Sequence, residues 1–120
     1  MLSEQARQVV EKTRTGRKVA LVFRVQAGVD RVALRNIKDV VQRNRQLDTI
    51  YEIAKQPVLE AVSKYESAGF QIVDHLAGTP RLVVSAPAQM WRQILRDNVG
   101  FVTDPTIEVM PNEPFRSAPL

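Results

Sequence analysis

Residues 70–95 read FQIVDHLAGTPRLVVSAPAQMWRQIL, and the punctuation of this stretch decides the fold. Two apolar runs, 70–76 and 81–85, flank the loop Ala77-Gly78-Thr79-Pro80. Both runs are rich in β-branched or aromatic residues, so they read as the two strands of a hairpin. The period then lengthens. Met90, Trp91, Ile94 and Leu95 recur at helical spacing and form the buried face of a helix. Ser85 is placed to cap that helix, Pro87 lies in its first turn, and Asn98 or Gly100 closes it.

The flanking sequence extends the pattern in both directions. Residues 18–25, KVALVFRV, form a strand bounded by Gly16 and Gly28. From residue 30 to 67 the pattern is helical, with Leu34, Ile37, Val40 and Val41, then Leu47, Ile50, Tyr51 and Ala54, at three- and four-residue spacing. Proline is poorly tolerated inside a helix and favoured at its start, so Gln56 ends one helix and Pro57 opens another carrying Leu59, Val62 and Tyr65. Gly69 is a natural stop for it. Residues 106–110, TIEVM, make a last strand stopped by Pro111, and residues 3–13 make a short helix capped by Ser3.

The expected fold is therefore α+β: a ferredoxin-like βαββαβ chain, with a four-stranded antiparallel sheet and helices 57–67 and 87–97 on one face. Residues 1–17 are a helical or flexible extension, 18–110 the domain, 30–56 a helical insertion after the first strand, and 111–120 an extended tail with three prolines. The expected core is Leu21, Phe23, Val62, Ile72, Leu82, Val84, Trp91, Leu95 and Ile107.

Composition sets the class. A chain of 120 residues with 44% hydrophobic and 25% charged residues fits one globular domain. No apolar run reaches the ~18 residues of a membrane helix. The N-terminal residues hold no continuous apolar segment of the kind a secretory signal needs. The chain as given reads as cytoplasmic, without membrane attachment, its export segment absent or trimmed. Eleven of the 17 basic and four of the 13 acidic residues lie in 1–45, a balance of +7, while the remainder holds six and nine, a balance of −3. Such a basic half suits a solvated helical face, nucleic acid or an acidic protein surface.

The chemistry-bearing constellations are sparse. His75 is the single histidine and there is no cysteine, so a structural zinc site lacks ligands and a triad would rest on one imidazole. Asp74 and His75 are neighbours in a strand and point to opposite faces. No phosphate-binding glycine loop occurs, and the carboxylates are scattered. The expectation is a binding protein without catalysis, cofactor or metal. RNA-recognition domains share the βαββαβ order but stack bases on aromatics of the central strands. Here those strands hold only Phe23, which argues against nucleic acid as a partner. Trp91 and Met90 sit at core spacing rather than at an interface.

The segment SAGFQIVDHLAGTPRLVVSAPAQMWRQIL (67–95), followed by DPTIEVMPN (104–112), resembles the propeptides of subtilisin-like serine proteases and their stand-alone inhibitor relatives. The shared rhythm is an opening strand, a Gly before the second strand, a short apolar third strand, a helix, a Pro-containing loop and a final strand. It covers about residues 18–110. Two features depart from it: the helical stretch 30–56 is longer than the family helix, and the tail is Pro-rich.

The resemblance implies a partner and a mode of action. The sheet packs on two surface helices of a subtilisin-like protease, and the tail lies in the active-site cleft as an added strand that is cleaved slowly. The protease-binding residues are then Met110, Phe115, Ser117, Ala118, Pro119 and Leu120. Two registers are open: Leu120 fills the pocket before the scissile bond with Ser117 three residues earlier, or Met110 fills it with Ile107 three residues earlier. The first is preferred, because the second peels the last strand from its sheet. The alternative functions are a ferredoxin-like interaction or oligomerisation module that uses the helical insertion, and a nucleic-acid-binding domain.

Overall fold

The computed structural model describes residues 1–112. The chain runs α1 (Glu4–Lys12), β1 (Lys18–Val25), α2 (Arg31–Arg35), α3 (Val40–Lys64), a 3-10 turn (Glu66–Ala68), β2 (Gln71–Asp74), β3 (Arg81–Pro87), α4 (Ala88–Arg96), α5 (Gly100–Thr103) and β4 (Ile107–Pro111). The strands form one four-stranded sheet in the order β2-β3-β1-β4, and every neighbouring pair is antiparallel. The hairpin expected from residues 70–85 is present as the β2–β3 pair.

Alternation along β1 separates the two faces of the sheet. Val19, Leu21, Phe23 and Val25 are buried, whereas Lys18, Ala20, Val22 and Arg24 are exposed or half-buried. Residues directly opposite each other share a face. Leu82, Val84 and Ala86 of β3 and Ile107 and Val109 of β4 therefore join the inner side. Against it pack Ala6 and Val10 of α1, Val58 and Val62 of α3, Ala88, Trp91 and Ile94 of α4, and Phe101 and Val102 of α5, all in one cluster.

Aromatic rings lock that cluster. Phe70 meets Trp91 edge-on with centroids 4.9 Å apart, and Phe101 lies 5.8 Å from Phe23 and 6.2 Å from Phe70. Such pairs contribute about 0.5–1.5 kcal/mol each beyond the area they bury. The Trp91 indole N–H donates to the Val19 carbonyl at 3.0 Å, so its one polar atom is satisfied. Among the core residues expected from sequence, Ile72 and Leu95 are only partly buried, while Val10, Phe70, Phe101 and Val109 join the centre.

Three local expectations are corrected. α3 does not break at Pro57 but continues through it. The carbonyl that proline deprives of its donor belongs to Ile53, a residue 66% exposed, while Val58 and Val62 hold the following turns to the core. Ser85 does not cap α4, because it is paired in the sheet opposite Ala20 and Gln71; Pro87 takes the cap position without a side-chain bond. The second strand begins at Gln71, since Phe70 turns inward. α1 starts on Ser3 as expected, with the Ser3 side chain accepting from the Ala6 N–H.

The edge of β4 is covered by the start of the chain. Leu2 forms a parallel bridge with Val109; Ser3 N–H donates to the Val109 carbonyl and Val109 N–H to the Met1 carbonyl. Nearby, Thr106 donates to Asp104 from its hydroxyl (2.7 Å) and its N–H (2.8 Å), which holds the Asp104 carboxyl below the usual range. A depressed carboxylate adds stability above its unfolded pKa, and this is lost as pH falls through the folded value.

Two glycines with positive φ provide a controlled test of packing. Gly69 (φ 96°) would place a Cβ only 2.9 Å from Pro87 Cδ, whereas Gly16 (φ 89°) has nothing within 4 Å of that point. Gly16→Ala should cost about 1–2 kcal/mol from the left-handed backbone alone. Gly69→Ala should cost clearly more, because Pro87 is held in the sheet. Urea denaturation of both variants checks the order.

Candidate interaction surface

The outer face of the sheet is the surface no helix covers among the described residues. Its rows follow from the register. Arg81, Arg24 and Glu108 lie side by side, followed by Val83, Val22 and Met110, then Gln71, Ser85 and Ala20, with Lys18 beside Pro87 at the far end. Apart from Gln71, the middle rows are apolar or small. Val83 is nearly covered by its neighbours, Val22, Met110 and Ala20 are half-buried, and Val73, at the bulge in β2, is 53% exposed. Phe23 belongs to the opposite face and is fully buried, so among the described residues the strands present no aromatic on this surface.

Met110, named from sequence as a protease-binding residue, stands on this outer face opposite Val22. Phe115, Ser117, Ala118, Pro119 and Leu120 lie outside the described residues. Ile107, the companion of Met110 in the second register, points the other way and is buried opposite Val25. Using Met110 and Ile107 as cleft-filling residues thus requires β4 to leave the sheet, while a tail docked by its end leaves β4 paired as far as Pro111.

A second surface is the helical arm formed by α2 and the first half of α3. Asp30 and Asp39 cap its two helices. The Arg43 guanidinium donates twice to the Ile37 carbonyl, at 2.7 and 3.1 Å, closing the arm on itself. No residue of α2 is buried, and the first buried residue of α3 is Lys55. Val32, Val40, Val41 and Ile53 are all more than half exposed.

Lys55 ties the arm to the sheet, and no sequence pattern singled it out. It is fully buried, and its Nζ donates to the carbonyls of His75 (2.7 Å) and Leu76 (3.3 Å), with Glu52 Oε1 3.8 Å away. The Leu76 carbonyl also accepts from Thr79, and the Leu76 N–H donates to Asp74 Oδ1. Buried lysines persist only where partnered. His75 contributes its backbone here, and the residue itself is exposed. Among the described residues no three His, Cys, Asp or Glu side chains cluster to hold a metal ion, and no helix is long and apolar enough to cross a membrane. Trp91 is wholly internal and Met90 half-buried, so neither anchors a surface contact.

No protein-family model, curated protein or solved structure matches the chain. Function is therefore argued from the surface itself.

Lys55→Met retains the apolar stem but leaves two carbonyls without their cation. It should cost roughly 1–3 kcal/mol in urea denaturation. Amide exchange in the 75–79 loop should accelerate in this variant more than exchange in β1.

Proposed function

We propose that the chain is a protease-binding domain of propeptide type, inhibiting a subtilisin-like serine protease or assisting its folding. The outer sheet face docks on the protease and the C-terminal tail enters the active-site cleft. The observation that carries this reading is the apolar waist of the outer face, where half-buried Ala20, Val22 and Met110 surround the nearly covered Val83 and Met110 stands on the strand that leads into the tail. A partly exposed apolar surface with no helix over it suits a protein contact. The order β2-β3-β1-β4 supports a ferredoxin-like plan: β3 lies between β1 and β2, and β1 lies between β3 and β4. The chain acts by binding, and tail residues Phe115, Ser117, Ala118, Pro119 and Leu120 supply the substrate-like strand. Proline in that tail limits the entropy lost on docking.

A second reading, an interaction or oligomerisation module, is favoured by one observation, the exposed Val32, Val40, Val41 and Ile53 of the arm. It requires a mass that rises with concentration and no dependence on the tail.

Inhibition constants against a set of subtilisin-like proteases test the first reading. The full chain should inhibit, and a chain ending at Pro114 should be weaker by tenfold or more, about 1.4 kcal/mol. Val22→Lys should lose a similar factor, with melting temperatures close to wild type because Val22 faces outward. No inhibition by the folded full chain discards the protease reading. Equal inhibition by the shortened chain discards the end-docked tail.

A further inference from the structure

On the outer face, Arg24 of β1 stands directly opposite Arg81 of β3. Both residues are exposed. Like charges in directly opposed positions of an antiparallel pair repel. Among the described residues neither guanidinium has a hydrogen bond or an ion pair. The carboxylates nearest in register are Glu108, opposite Arg24 on β4, and Asp74, opposite Val83 on β2. Glu108 makes no ion pair with Arg24, and Asp74 is bonded to the Leu76 N–H. Arg31, at the start of α2, lines a cleft of about 640 Å³ with Arg24 and Glu108 at the same end of the sheet. Lys18 occupies the opposite end of the face. The waist between these ends is apolar.

We infer that the protein surface received by this face carries a carboxylate seated between Arg24 and Arg81, next to an apolar patch that covers Val22 and Met110. The inference rests on the protein-docking role proposed for this face and adds the chemistry of the partner. A guanidinium fork matches a carboxylate in two parallel hydrogen bonds, so two opposed arginines set both position and orientation. The apolar waist supplies contact area, and the arginine pair selects which apolar surface is accepted.

The test uses the full chain, labelled with nitrogen-15, and two helical peptides with the same leucine and alanine face. One peptide carries glutamates beside that face and the other lysines. At low salt the glutamate peptide should shift the amides of Val22, Arg24, Arg81, Val83 and Met110, with an affinity roughly fivefold or more above that of the lysine peptide. The preference should vanish at ~1 M ionic strength, where screening acts over about 3 Å. It should also vanish in the Arg24→Gln, Arg81→Gln double variant, whose unchanged spectrum elsewhere reports an intact fold. Equal binding of both peptides, shifts confined to another surface, or no binding of either overturns the inference. Protease inhibition is read separately: inhibition that survives Arg24→Gln, Arg81→Gln leaves the protease reading standing while this inference falls.

Discussion

The buried indole of Trp91 is the constraint from which the rest of the packing follows. A donor in the middle of an apolar core is tolerated only when it is bonded, and its acceptor here is the Val19 carbonyl. That acceptor lies where β1 runs past the end of β4, whose pairing reaches only to Leu21. The bond fixes the position of α4 along β1. With the indole placed, Phe70 packs edge-on against it, which requires the chain to turn inward before β2. The turn is made by Gly69 in a left-handed conformation pressed against Pro87, the residue at the start of α4. One hydrogen bond, one ring contact and one glycine thereby couple β1, β2 and α4.

The two faces of the sheet divide the work of folding and recognition. The inner face takes the burial of α1, α3, α4 and α5, and the outer face keeps an apolar centre within a charged border. The arm is held differently. Its attachment is polar, a lysine ammonium bonded to two carbonyls of the β2–β3 loop, where the rest of the domain uses apolar packing. The arm and the sheet therefore respond to different perturbations: substitutions in the aromatic cluster weaken the sheet layer, and changes at Lys55 or the 75–79 loop loosen the arm.

The strands were legible in the sequence because alternation and loop residues agree for residues 18–25, 70–85 and 106–110. The inward residues of β1 follow from that alternation alone. Pro57 misled because its cost depends on whether the residue one turn earlier faces water, which only the packed helix reveals. Ser85 misled because sheet pairing on both sides outweighs a single cap bond. The short helix of Gly100–Thr103 is too brief to show a period, although Phe101 and Val102 are central to the core. Lys55 was hidden because a buried lysine looks like any other charge along a helix. In the candidate site, Met110 was legible as part of the last strand. The opposition of Arg24 and Arg81 required the register, which sequence periodicity does not give.

The bridge between Leu2 and Val109 joins residues separated by almost the whole chain. Formed first, the bridge would close nearly the whole chain as one loop, whereas once β4 is paired with β1 only the short segment from Leu2 to Lys18 is left to close. The bridge therefore belongs to the end of the folding order, after the β2–β3 hairpin and the β1–β3 pair are in place. Until it forms, the outer edge of β4 is open to pairing with any extended segment nearby. A newly made chain thus offers wrong strand partners this edge, beside its proposed docking face, as well as that of β2. The same pairing is the natural first place for the native sheet to fray.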